Sequence, residues 1–202
     1  MHGLIVDSNG ANVPIELHRV IAPLNLVPLK DQFGNDFTPK DPFPSRLLST
    51  LPAPGNLHAH LALGEKRGSG RSSIVHNIDI LPTQALQGTF PPLVLKVGRL
   101  KRRAEIGREA WFYDEMESMQ GVILPRCYGW FEAELAEGQS FGPWYTSDRS
   151  SSETEDSNPN WRFENSSRLL EMSHSRNFVS VLLLERLGGT LPVGVPLSEQ
   201  LM

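Results

Sequence analysis

Gly68-Ser69-Gly70-Arg71-Ser72-Ser73-Ile74-Val75 follows a short apolar segment of this 202-residue chain. Glycines let a backbone turn sharply and bring its N–H groups close to phosphate oxygens with no Cβ in the way. The same run is also what an ordinary flexible loop looks like. Further on, Lys96 stands inside Leu93-Val94-Leu95-Lys96-Val97. On a strand, Leu93, Leu95 and Val97 share one face while Val94 and Lys96 share the other. That second face sets an apolar side chain beside a cation, the combination an adenine ring and its phosphates need. The plain alternative is a solvated Lys on a half-exposed strand.

Glu109 is the third candidate. Ile106, Ala110 and Tyr113 recur at helical spacing and predict a buried stripe, with Glu109 alongside it. A carboxylate so placed needs a cationic partner. Lys96 is one choice, and Lys101, Arg102, Arg103 and Arg108 are local competitors.

The elements that must position these residues are short. Leu4–Val6 and Val13–Leu17 read as strands around Asn9-Gly10, a hairpin signal. Pro23, Pro28, Pro39, Pro42 and Pro44 then break any long element, so residues 1–56 are expected to form an irregular strand-and-loop arm. Apolar runs at Leu61–Leu63, Ser73–Val75 and Leu93–Leu95 predict strands. A helix is expected over about Lys101–Met119, with strand material at Val122–Leu124 and Cys127–Phe131. Residues 136–176 are polar, Ser-rich and acidic around Thr146–Ser157 and are read as a disordered insertion. Phe178–Leu184 is the most apolar strand. The fold class expected is α+β, with an antiparallel sheet of about five strands and one packed helix.

Glycine-rich turn, strand Lys, helix Glu, strand, and an apolar strand running into Glu185-Arg186-Leu187-Gly188 resemble the N-terminal lobe of protein kinases. Gly68–Val75 resembles the glycine-rich loop G-x-G-x-x-G-x-V, with Ser73 in place of the third glycine. Leu93-Val94-Leu95-Lys96 looks like V-A-I-K, and Arg108-Glu109-Ala110 is similar to the Arg-Glu pair of many kinase C-helices. In wording, Arg108–Met116 and Pro125–Phe131 are similar to the protein-kinase-like proteins of mushroom-forming fungi. The resemblance covers about residues 61–192 and gives a lobe over 57–192.

The resemblance implies ATP as the bound cofactor and assigns roles. Gly68, Ser69, Gly70 and Ser73 belong to the loop over the triphosphate, with the Ser73 Cβ expected to restrict its closest approach. Val75 and Val94 would pack on adenine. Lys96 would hold the α- and β-phosphates and pair with Glu109. Leu184 would stand at the gatekeeper position, and the Glu185 carbonyl and Leu187 N–H would meet the adenine edge.

In that family the base and the Mg²⁺ ligands come from H-R-D-L-x-x-x-N and D-F-G, both after the hinge. The residues after Leu187 contain no Asp, Asn or His. Asp31-Gln32-Phe33-Gly34 is a false echo of D-F-G, with an inserted Gln and a place before the glycine-rich turn. The C-terminal lobe and its metal ligands are therefore expected to be absent, with residues 193–202 reading as a linker cut short. No phosphoryl transfer is expected from this chain alone. The readings in play are a truncated kinase-like chain, a non-catalytic half-domain binding nucleotide or a protein partner, and a fragment of a small-molecule phosphotransferase.

Composition narrows the setting. Apolar residues are 39%, with 16 Pro and 17 Gly, below the roughly 45–50% of ordinary soluble domains. A net charge of −4 gives no reason to expect nucleic acid or an anionic membrane as partner. The single Cys127 fits a reducing, intracellular compartment, cytoplasmic or nuclear. No run approaches the roughly 18 apolar residues of a membrane span. His58 and His60 have no accompanying pair, so no zinc site is expected. Arg99-Leu100-Lys101-Arg102-Arg103 reads as a solvated helix start.

Overall fold

The computed structural model describes residues 1–22, 58–82, 90–99, 102–142 and 177–188. In chain order these form β1 (Ile5–Val6), β2 (Asn12–Val13), β3 (His18–Val20), β4 (His60–Ser69), β5 (Ser73–Leu81) and β6 (Leu93–Gly98). Helix α1 (Arg103–Glu115) follows, then a 3-10 turn at Glu117–Met119 and strands β7 (Cys127–Glu134), β8 (Ser140–Phe141) and β9 (Phe178–Glu185). The fold is α+β, with open antiparallel sheets and one α-helix among the described residues.

The main sheet has six strands in the order β3-β7-β9-β6-β5-β4. Its two inner strands carry side chains to alternate sides, as a period of two requires. Leu93, Leu95 and Val97 of β6 join Val179 and Val181 of β9 in one buried cluster. Val94 of β6 joins Leu182 and Leu184 of β9 in another, packed on Ala104, Ile106 and Ala110 of α1. The first face is covered by the small sheet β2-β1-β8, which supplies Ile5 and Phe141, while Leu4 just ahead of β1 packs beside them. The central strands are therefore sandwiched between a helix and a second sheet.

The Asn9-Gly10 signal does mark a hairpin. Gly10 has φ +80°, and the Asp7 carboxylate accepts from the N–H groups of Asn9 at 2.8 Å and Ala11 at 2.9 Å. These are the side-chain bonds that make Asp a turn residue. β1 pairs with β2 here and, on its other edge, with β8.

Several expectations are corrected. The sheet has six strands and not about five, because β3 of the N-terminal arm pairs with β7. The helix is shorter than expected and begins at Arg103. Arg103 is 1% exposed and donates to the carbonyl of Phe178, so the basic run is not simply a solvated helix start. Burial lowers its pKa to about 10. Val122–Leu124 is a turn and not a strand: the N–H groups of Val122, Ile123 and Leu124 all point at the Met119 carbonyl, at 3.1–3.2 Å. Gly121, at φ +76°, permits that reversal. Residues 140–141, placed within the acidic insertion, form β8 and bury Phe141. Residues 23–56 and 143–176, with Trp144 and Trp161, and residues 193–202 lie outside the described residues.

Candidate functional site

β4 and β5 form a long antiparallel ribbon whose turn is Gly70-Arg71-Ser72. Gly68 still lies on β4 and faces Val75 across the ladder. The Gly70 N–H donates to the Ser73 carbonyl at 2.8 Å, which closes the turn. A Cβ on Gly68 would meet nothing within 4 Å, and one on Gly70 would only approach the Ser73 carbonyl at 4.0 Å. Among the described residues, nothing crowds these two glycines. Ser69 is exposed at the end of β4. Ser73 is buried opposite Gly98.

Register carries the site across the sheet. Val75 on β5 is opposite Lys96 on β6, which in turn is opposite Leu182 on β9. Val94 is opposite Leu184, and Leu184 is opposite Cys127 on β7. Val75, Val94, Lys96 and Leu184 thus share the face on which α1 packs. Val94 and Leu184 are buried there, and Val75 is partly buried beside them.

From α1, Glu109 reaches Lys96. The Nζ donates to Oε1 at 2.7 Å and to Oε2 at 2.6 Å, with the two side chains 22% and 27% exposed. Helix phase left Lys96 as one of several partners for Glu109, and this is the pairing that the kinase-lobe resemblance implied. Among the described local cations, Arg102 pairs with Glu105 at 2.6 Å and Arg108 lies 5.9 Å from the Phe112 ring centre. A lysine bonded to both carboxylate oxygens at the sheet–helix seam is held in a fixed, partly exposed ion pair.

The far end of the site is where β9 leaves the sheet. Glu185 ends the strand; its N–H donates to the Arg126 carbonyl at 2.8 Å, and its carboxylate takes the Arg126 guanidinium at 3.3 Å. The Arg186 N–H donates to the Pro92 carbonyl at 2.8 Å. Proline returns no N–H, so the ladder with β6 stops there. Leu187 is exposed, and a Cβ on Gly188 would meet nothing within 4 Å. All eleven residues singled out from sequence lie on the β4–β5 ribbon, on β6, on α1 or at the end of β9. The face shared by Val75, Val94, Lys96 and Leu184, with Glu109 above it, is a single surface, and Ser73, two residues before Val75 on β5, is buried opposite Gly98.

Sequence reasoning missed residues that brace this surface. Arg99 bonds to the β4–β5 turn through its backbone and side chain. The Gln120 side chain donates to the Tyr113 carbonyl at 2.9 Å and accepts from the Cys127 N–H at 2.7 Å, tying the end of α1 to the start of β7. No sequence signal marks Gln120. Arg99 was visible only as part of a basic run. Burial pushes the Tyr113 hydroxyl up to about 12, with the Glu109 charge adding to it. Burial likewise pushes the Cys127 thiol up to about 12, which leaves it a protonated packing residue and not a nucleophile.

Among the described residues, no group of three or more His, Cys, Asp or Glu side chains is placed to hold a metal ion, and no helix is long and apolar enough to cross a membrane. The site thus belongs to an α+β domain whose antiparallel sheet presents a paired lysine beside an apolar strip. Compared with known proteins, the chain matches no family model, no curated protein and no solved structure.

Proposed function

We propose that this chain is a nucleotide-binding lobe of the protein-kinase-like type, which takes ATP on the face shared by Val75, Val94, Lys96 and Leu184. The observation that carries the reading is the Lys96–Glu109 pair, held at 2.6–2.7 Å between a central strand and the helix. The residues fit such a ligand. The partly buried Val75, beside the buried Val94 and Leu184, offers apolar surface for a flat base, and the Nζ of Lys96 offers charge for the phosphates. The glycine positions leave a space that a Cβ would fill. In this reading the chain edge at Glu185–Leu187, where the β6 ladder ends at Pro92, offers backbone groups to the base. The residues after Leu187 carry no Asp, Asn or His. The reading is therefore one of binding, and phosphoryl transfer, which needs a base and metal ligands, is not assigned to these residues.

A second reading is a non-catalytic binding module that stands without a further lobe. It is favoured by the cover on both faces of the central strands, from α1 and from β2-β1-β8.

Calorimetric titration of ATP into the full chain tests the first reading. Wild type is expected to bind, and Lys96→Ala to lose roughly ten- to hundredfold in affinity, as for one lost charge-assisted bond. Thermal melting of both proteins would show that the variant still folds. A wild-type chain that binds no ATP, or a Lys96→Ala protein that binds as well, would refute the reading.

A further inference from the structure

The turn between β4 and β5, Gly70-Arg71-Ser72, is flanked by and contains Ser and Gly, residues that by themselves hold no single conformation. In this fold the Gly70 N–H bond to the Ser73 carbonyl closes it, and Arg99 braces it. Arg99, three positions beyond Lys96, donates from its backbone N–H to the Ser72 carbonyl at 2.8 Å. Its Nε donates to the Gly70 carbonyl at 2.8 Å, and its Nη2 reaches the Ser69 hydroxyl at 3.3 Å. One arginine thus engages three points around the turn: the hydroxyl at 69 and the carbonyls at 70 and 72. A trans peptide is planar, with its C=O and N–H pointing in opposite directions. Drawing the Gly70 carbonyl onto the guanidinium therefore aims the N–H of the Gly70–Arg71 peptide away from Arg99. That sets the donor edge of the turn, the edge through which such turns hold anions.

We propose that Arg99 is a positioning residue for the phosphate end of the site. It holds the β4–β5 turn in one orientation beside Lys96, so that nucleotide phosphates meet a preset turn and not a flexible loop. The proposal rests on the nucleotide-binding reading above. Without the guanidinium, the turn must be ordered at the moment of binding, and that cost falls on the phosphates alone. The base, seated among Val75, Val94 and Leu184, does not contact Arg99 and is not affected. A lysine cannot substitute fully, since one ammonium lacks the planar fork that meets the Gly70 carbonyl and the Ser69 hydroxyl together.

The test compares ATP with adenosine on the full chain in wild type, Arg99→Ala and Arg99→Lys, together with amide hydrogen exchange at Gly70. Arg99→Ala is expected to weaken ATP binding by roughly five- to tenfold, the effect of one or two modest hydrogen bonds. Adenosine affinity should stay within about twofold, because no phosphate is present to feel the turn. The Gly70 amide should exchange faster in Arg99→Ala, and Arg99→Lys should fall between the two. Equal losses for ATP and adenosine would show a merely structural role and overturn the proposal, as would unchanged ATP affinity. A wild type that binds adenosine but not ATP would also overturn it. If wild type binds neither ligand, the nucleotide reading itself fails. Gly70 exchange then decides the clamp separately, with faster exchange in Arg99→Ala supporting it and unchanged exchange overturning it.

Discussion

A Cβ added to Gly98 would lie 2.6 Å from Cγ1 of Ile106, 3.2 Å from the Ser180 carbonyl and 3.3 Å from Cα of Arg103. Ile106 and Arg103 are both buried, so neither can swing aside cheaply. Glycine is required at 98 because α1 crosses the end of β6 at that point. The same close approach brings Glu109 down to Lys96, two residues earlier on the strand. Gly98→Ala is expected to destabilise the protein by about 1–3 kcal/mol, the usual cost of overpacking, seen as a lower urea midpoint. ATP affinity should fall with it if the helix is displaced, while an unchanged midpoint would show that α1 does not pack against this glycine. Lys96 and Glu109 were legible in the sequence because strand alternation and helical phase fix where each side chain points. The need for glycine at 98 was not legible, since it depends on Ile106 and Ser180, and Ser180 is far away in the chain. Nor was the burial of Ser73, which follows from its register opposite Gly98.

Helix α1 has no side-chain cap at its start, so its ends are held by tertiary contacts. Arg103 bonds to the Phe178 carbonyl at one end. At the other, the Gln120 amide bridges the Tyr113 carbonyl and the Cys127 N–H. Gln120→Ala removes both bonds and leaves two half-buried backbone groups without that partner. We expect a loss of about 1–3 kcal/mol, measured by urea denaturation, with faster amide exchange at Cys127. Stability equal to wild type would show that the bridge adds nothing to the helix end. The helix itself was readable from the spacing of Ile106 and Ala110, and the first hairpin from Asn9-Gly10. The segment Val122–Leu124 misled because β-branched residues favour strands. Here Val122 and Ile123 are 81% and 70% exposed on a turn made possible by Gly121. Local preference yielded to a glycine conformation and to three N–H groups converging on one carbonyl.

At the scale of the whole molecule, the N-terminal residues are part of the core. Leu4, Ile5 and Phe141 pack with Leu95, Val97, Val179 and Val181, and β3 extends the main sheet beside β7. Removal of residues 1–22 would bare that apolar face and open the β7 edge. The shortened protein is expected to self-associate and to bind a hydrophobic dye, followed by sedimentation and fluorescence. A monomer that unfolds as sharply as the full chain would show that the main sheet does not need this cover. The cover was hidden from sequence reading because strands of two residues carry almost no periodic signal, and their meaning lies in partners far along the chain. That distance has a consequence for the order in which the protein can assemble. Ile5 pairs with Phe141, so β1 must wait for residues 6–140 to be made before its second neighbour emerges. Closing so long a loop is entropically costly and slow. During synthesis the β1–β2 hairpin therefore exists first as an isolated, marginal structure. It becomes permanent only after β8 has arrived, so this cover is made early and set late.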